Sequence, residues 1–281
     1  MEKLAVLLSS YVESQSRRGY VDTSKGQIHY RTVGQGRPIV LLHQTPSSSA
    51  MWERFMKSFP SGYQLIALDS PGFGNSDAPT GPIPMAGYAA TLLEALTALG
   101  IKEALFMGHH TGASIAIEIA CQAPERVQGL VLMGPFAPPT ALQLHWWKNL
   151  VHRWQPDNTG EFVTEAVLPR LNMVTGSSDA QHYLSELVGY LQAGPNYWWA
   201  YDAVFSYDTA ANAAKVKAPT LILTGAHEVP DQADMGRHVH AIIKGSEYAT
   251  ISGGSSEMVS EIPAALHEVV LPFIAKIKGG K

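Results

Sequence analysis

The sequence predicts an α/β protein, a mostly parallel sheet flanked by helices, with a helical cap in its second half. Three observations predict it. Short apolar runs at residues 38–43, 64–69, 104–107, 127–133 and 218–225 read as buried strands. Longer stretches of helical periodicity separate them, and such alternation marks a parallel sheet covered on both faces. Between residues 137 and 214 the alternation stops, and helical, aromatic-rich sequence takes its place.

Taken in order, residues 4–12 predict a short N-terminal helix; the apolar run is too short, and lacks the small-residue cleavage site, for a signal peptide. Ile28-His29-Tyr30-Arg31-Thr32-Val33 has strand composition, and Gly34-Gln35-Gly36 is a turn. The next strand ends in a polar loop, His43-Gln44-Thr45-Pro46-Ser47-Ser48-Ser49, and residues 52–59 look helical. The strand at 64–69 runs into a tight loop, Asp69-Ser70-Pro71-Gly72-Phe73-Gly74-Asn75-Ser76. Residues 86–99 are helical and stop at Gly100. Beyond the cap, residues 248–251 form the last strand and 266–274 a closing helix.

Composition narrows the function classes. The chain has 281 residues, room for one large domain with an insertion. A formal charge of −4 provides no basic footprint for nucleic acid. No run of about 18 apolar residues predicts a membrane span. A single cysteine, Cys121, rules out an internal disulfide framework, fits a reducing compartment, and is expected to be a buried structural thiol. A cytoplasmic location is the resulting expectation, with a small molecule as partner and a monomer or homodimer as the assembly.

The stretch that organises the chain is Gly108-His109-His110-Thr111-Gly112. An apolar run precedes it and a helical one follows. Strand, sharp Gly-flanked turn and helix are the setting of the nucleophile elbow, G-x-S-x-G, which lifts its middle residue above the sheet. Here that residue is His110. Imidazole titrates near neutrality, so it suits a general base at physiological pH, or a nucleophile acting through a transient acyl-imidazole.

With these residues in view, the chain from about residue 26 to 276 resembles the α/β-hydrolase-fold superfamily, in its epoxide-hydrolase and haloalkane-dehalogenase-like branch. The motifs that carry the resemblance are Leu41-Leu42-His43-Gln44, the loop 69–76, the elbow, 219–225, and Gly253-Gly254-Ser255-Ser256 followed by Glu261-Ile262-Pro263. The resemblance extends to an atypical subgroup with a Gly-His-His-Thr-Gly elbow. It implies a core of residues 1–136 and 215–281 and a cap of residues 137–214, inserted after the sixth strand.

It also implies roles. The nucleophile position holds His110, the usual acid falls on Glu228, and the usual catalytic histidine falls on Ser256, as though serine and histidine had changed places. Asp231 is the rival acid and Ser255 the rival serine. A Glu228–Ser256–His110 hydrogen-bond chain is the expected arrangement, with Ser256 orienting His110. Backbone N–H groups of Gln44 and Thr111 would form the oxyanion hole. His43, Trp146, Trp147, Trp198 and Trp199 are expected to contact substrate, because an aromatic cap suits an apolar ligand. No metal-binding spacing and no dinucleotide or phosphate loop occurs, so neither metal nor cofactor is expected. The implied activity is cofactor-independent hydrolysis of a small apolar or aromatic ester, lactone or β-diketone. The alternatives are a lyase, decarboxylase or cyclase using His110 as base, and a catalytically silent ligand-binding protein.

Overall fold

The computed structural model describes residues 16–137, 153–174, 180–228 and 230–277. Eight strands form one sheet in the order β1-β2-β4-β3-β5-β6-β7-β8. They are β1 (Arg17–Thr23), β2 (Gly26–Gly34), β3 (Gly36–Leu42), β4 (Gly62–Leu68), β5 (Ala104–His109), β6 (Val127–Met133), β7 (Thr220–Gly225) and β8 (Glu247–Ile251). β1 pairs antiparallel with β2, and β2 with β4; every other pairing is parallel.

The predicted strands are therefore present, and the sixth in chain order is followed by helices, as expected. One strand was not visible in the pattern. β1, Arg-Arg-Gly-Tyr-Val-Asp-Thr, is an edge strand with no buried residue, so it carries no apolar run. The helical prediction at 52–59 becomes a 3-10 turn, Ser49–Trp52, followed by helix α1 (Glu53–Lys57).

The helices that cover the sheet are α2 (Met85–Ala98) and α3 (Thr111–Gln122) in the first half, with α8 (Pro230–Ile242), α9 (Met258–Glu261) and α10 (Pro263–Lys276) in the second. Between β6 and β7 lie a π-helical turn, Val163–Val167, and helices α4 (Leu168–Val174), α5 (Ala180–Ala193), α6 (Trp198–Phe205) and α7 (Thr209–Ala213). The predicted N-terminal helix at 4–12 and the pair Trp146-Trp147 lie outside the described residues.

Strand alternation divides the core in two. Val40, Leu42 and Phe106 point into the layer packed with α2, α3 and the inserted helices, and Ile39, Leu41, Leu105 and Met107 into the layer with α1 and α10. Both layers are sealed, so the central strands are apolar on both faces. That rigidity fixes the carboxyl ends of β3, β5, β6 and β7, where the candidate site is assembled.

Cys121 departs from expectation. It is half-buried, its thiol approaches the Asn212 carbonyl at 3.4 Å, and burial together with Glu118 pushes its pKa up. It is a packed, protonated thiol at the edge of the core.

Candidate active site

The elbow exists because its glycines let three pieces of backbone meet. A Cβ on Gly108 would lie 2.2 Å from the Gly112 carbonyl oxygen, and one on Gly112 would lie 2.2 Å from the Leu42 carbonyl oxygen. Any side chain there would force β5, α3 and β3 apart. The turn itself is made by His110, at φ 48 and ψ −106, the positive-φ non-glycine residue among the described residues. Such a conformation costs on the order of 1–3 kcal/mol and persists only where the surroundings hold it. Here the His110 N–H donates to the Met133 carbonyl at 2.9 Å, and its own carbonyl accepts from Ala113 and Ser114.

Glu228, in the turn just past β7, meets the imidazole. Its Oε1 lies 3.3 Å from His110 Nε2, at ion-pair distance without hydrogen-bond alignment, and its Oε2 accepts from the Gly225 N–H at 3.0 Å. The Glu228 side chain is wholly buried, whereas that of His110 is 23% exposed. Of the two neutral tautomers, the one with its N–H on Nε2 is favoured by the facing carboxylate. Asp231, the rival acid, is exposed in the first turn of α8.

Gly134 makes this meeting possible. A Cβ there would lie 2.8 Å from His110 Nε2 and 2.9 Å from Glu228 Oε1, at φ +52. Gln232 Nε2 donates to the Gly134 carbonyl at 2.8 Å and holds the loop in place. Behind the elbow, His109 is sealed, its ring 4.3 Å from that of His110 in an edge contact. Burial first, and the neighbouring His110 second, push the His109 pKa well down, so its ring stays neutral.

Thr111 opens α3, and its N–H donates to no backbone group among the described residues; the same holds for Gln44. A helix N-terminus with free N–H groups beside a reactive side chain is suited to a developing negative charge.

The first loop is pinned from below. His43 Nδ1 donates to the Gln44 carbonyl at 2.7 Å, and its Nε2 accepts from the Ser70 N–H at 2.9 Å. Burial lowers its pKa, and the ring packs 5.6 Å from that of Phe73. With both nitrogens used and the ring closed off, His43 is a stitch between loops, and its expected contact with substrate is not supported. Asp69 accepts from His29 at 2.8 Å, from the Ser49 N–H at 2.6 Å and from the Asn75 N–H at 2.9 Å. Burial would raise its pKa, but the His29 bond, the nearby His43 and the two N–H donors outweigh it and bring the pKa to about 2.

The last loop departs most from expectation. Among the described residues Ser256 makes no hydrogen bond to His110 or Glu228, and Glu228 reaches the imidazole directly, so the expected Glu228–Ser256–His110 chain does not form. Ser255 is spent on structure: its Oγ donates to Glu261 at 2.6 Å and accepts from the Glu257 N–H at 2.9 Å. Sequence reasoning missed Glu257. Its buried carboxylate accepts from Gln44 Nε2 through both oxygens, at 3.0 and 2.9 Å, and lies 3.7 Å from His182 Nε2. It therefore ties the last loop to the first and to the cap. No sequence signal marked Glu257 or Gly134, because their partners are distant in the chain.

Trp198 and Trp199 are described, and among the described residues no ring contact or shared cleft joins them to the elbow. Trp198 is half-buried beneath the Arg153 guanidinium, 3.9 Å from the ring centroid. Trp199 lines a cleft of about 210 Å³ with Pro71, Phe73, Tyr88 and Asn196, and no elbow residue belongs to it. Among the described residues no cluster of His, Cys, Asp or Glu could hold a metal, and no helix is long and apolar enough to cross a membrane.

A doubly covered parallel sheet, a strained elbow on its central strand and a buried carboxylate facing that elbow define a hydrolase-type α/β protein. The profile of the alpha/beta hydrolase fold family matches residues 37–255, and the chain belongs to that family. It is similar to the 2-hydroxy-6-oxo-6-phenylhexa-2,4-dienoate hydrolase of Comamonas testosteroni, 32% identical over 119 residues. That match spans 41% of this chain and 42% of the relative. It is also 24% identical over 279 residues to a 2-hydroxy-6-oxononadienedioate/2-hydroxy-6-oxononatrienedioate hydrolase of Pseudomonas putida, covering 92% of this chain and 94% of the relative. Among solved structures, a hydrolase from Pseudomonas aeruginosa PA01 has the same fold, with a TM-score of 0.79, 22% identity, and coverage of 92% of this chain and 98% of that one.

Proposed function

We propose that the chain is a cofactor-independent enzyme that cleaves a small apolar or aromatic carbonyl compound, an ester, lactone or β-diketone, with His110 in place of the usual nucleophile. The observation that carries this reading is the 3.3 Å approach of a buried carboxylate to the imidazole of a positive-φ elbow residue. A silent elbow has no need to keep a strained histidine and a sealed carboxylate in register. Both relatives, moreover, are named as hydrolases of oxo-dienoates, which are carbonyl substrates.

In this mechanism His110 Nδ1 takes a proton from water as it attacks the carbonyl carbon. Glu228 stabilises the imidazolium as it forms, and the N–H groups of Gln44 and Thr111 hold the developing oxyanion. His110 then returns the proton to the leaving group. Trp146, Trp147, Trp198 and Trp199 are proposed to shape the route to this centre from the cap, residues 137–214. A monomer or homodimer in the cytoplasm is the expected setting.

The test is turnover of aryl esters, lactones and β-diketones by the wild-type chain, followed by exposure to a fluorophosphonate. The reading requires turnover without covalent labelling of position 110. Stoichiometric labelling of Ser256 would make that serine the nucleophile. Proton abstraction from a β-diketone without cleavage would favour the lyase alternative, since the same base would then act on carbon. Binding without turnover across the panel would place the chain among ligand-binding proteins.

A further inference from the structure

Away from the elbow, a cleft of about 580 Å³ opens between the edge of the sheet, the α1 region and α5 of the cap. Its walls gather Arg18, Arg31, Arg54, Lys57 and His182, with Glu53 the carboxylate among its lining residues. This is a local reversal of sign in a chain of formal charge −4. Glu53 offsets one of these charges, through Arg31 Nη1 at 2.7 Å, and also accepts from the Ser16 hydroxyl, which leaves Arg18, Arg54 and Lys57 in excess.

The floor is built and the rim is open. Arg31 is 8% exposed, and its guanidinium is fixed by Nε donating to Ser49 Oγ at 3.1 Å and Nη1 to Glu53. Arg54 donates to the Ser260 carbonyl at 3.3 Å. Arg18 and Lys57 are exposed, and neither side chain has a hydrogen bond or ion pair among the described residues. Like charges left unpaired in a concavity repel one another, and an anion placed between them relieves that repulsion.

We propose that this cleft binds a compact, water-soluble oligoanion of the phosphate type, such as the phosphate groups of a small phosphorylated metabolite. The chemistry follows from the donors. Guanidinium groups present paired N–H donors that match tetrahedral oxyanions, and lysine adds a mobile point charge. The volume lies in the range of small-molecule sites. A soluble ligand is favoured over a lipid headgroup because the fixed guanidinium lies on the floor of a concavity, where a bilayer surface does not reach. The proposal is independent of the reaction at His110.

The experiment is calorimetric titration of the full chain with inorganic pyrophosphate at low ionic strength. Arms with inorganic phosphate and with phosphatidic-acid vesicles separate the possible sources. Saturable binding is expected, tighter for pyrophosphate than for phosphate, weakening as salt is raised. The exposed pair Arg18→Gln/Lys57→Gln should weaken it at least about tenfold, the loss of two charge-assisted contacts. A charge-matched control, Lys25→Gln/Lys244→Gln, alters two exposed lysines that do not line the cleft and should leave binding within about twofold. Circular dichroism confirms that both variants fold. The proposal is overturned if pyrophosphate shows no saturable binding, if the control weakens it equally, or if only the vesicles bind.

Discussion

Two buried glutamates near the site have opposite duties. Glu228 leaves one oxygen facing the His110 ring at 3.3 Å, a contact that lacks hydrogen-bond alignment. Glu257 has both oxygens occupied by the Gln44 carboxamide. The first is poised on a titratable ring that is partly open to solvent; the second is a clamp between loops. The difference teaches where reactivity has gone. The last loop, to which the family resemblance assigns a catalytic base, has become scaffolding through Ser255 and Glu257. In the proposed mechanism the base stands on the elbow instead, facing the Glu228 carboxylate just past β7.

That contrast is breakable. Short of removing His110 itself, the largest effect is expected from Gly134→Ala, whose Cβ would press on both His110 Nε2 and Glu228 Oε1. Misplacement of a catalytic pair by about 1 Å costs on the order of 10²-fold, so kcat should fall by about that factor with the fold intact by circular dichroism. Next comes the first loop. The Asp69 pKa, about 2 in the folded chain against an ordinary value near 3.8, means the carboxylate stabilises the native state. The contribution, about 2 kcal/mol, is fully present above the unfolded value and is lost as pH falls through about 2. Asp69→Asn should therefore lower stability in urea at pH 7 by about that amount, and the gap should narrow as the medium is acidified.

A smaller effect sharpens the roles of the two glutamates. Glu228→Gln keeps the shape but removes the charge, and kcat should drop about tenfold, equivalent to about 1.4 kcal/mol of lost imidazolium stabilisation. Glu257→Gln should leave kcat within about threefold, because a carboxamide oxygen can still accept from Gln44. If Glu257→Gln proves the more damaging, the assignment of clamp and partner is reversed.

Much of this was legible in the sequence, for reasons that can be named. The elbow was visible because close backbone approach demands glycine at both 108 and 112, and that demand is local. The inner strands were visible because burial on both faces writes an unbroken apolar run, as in Leu221-Ile222-Leu223. β1 was hidden because an edge strand needs no such run, and α8, rich in polar residues, shows little of one. The site's contacts were hidden for a different reason. Gly134, Glu228 and His110 meet only because β5, β6 and β7 are parallel neighbours, and the Gln44–Glu257 clamp joins residues 213 positions apart. Exchange of serine and histidine suggested a bridging Ser256; side-chain reach across the folded sheet made the bridge unnecessary.

The central claim, that the reactive group stands on the elbow and the last-loop serine does not take part, is tested most directly by two variants side by side. Turnover of His110→Ala and Ser256→Ala should be measured on the same carbonyl substrate that the wild-type chain cleaves. The account predicts a fall of about 10²–10⁴-fold for His110→Ala and a change within about threefold for Ser256→Ala, which removes no bond to the catalytic pair. A Ser256→Ala variant as inactive as His110→Ala would contradict it.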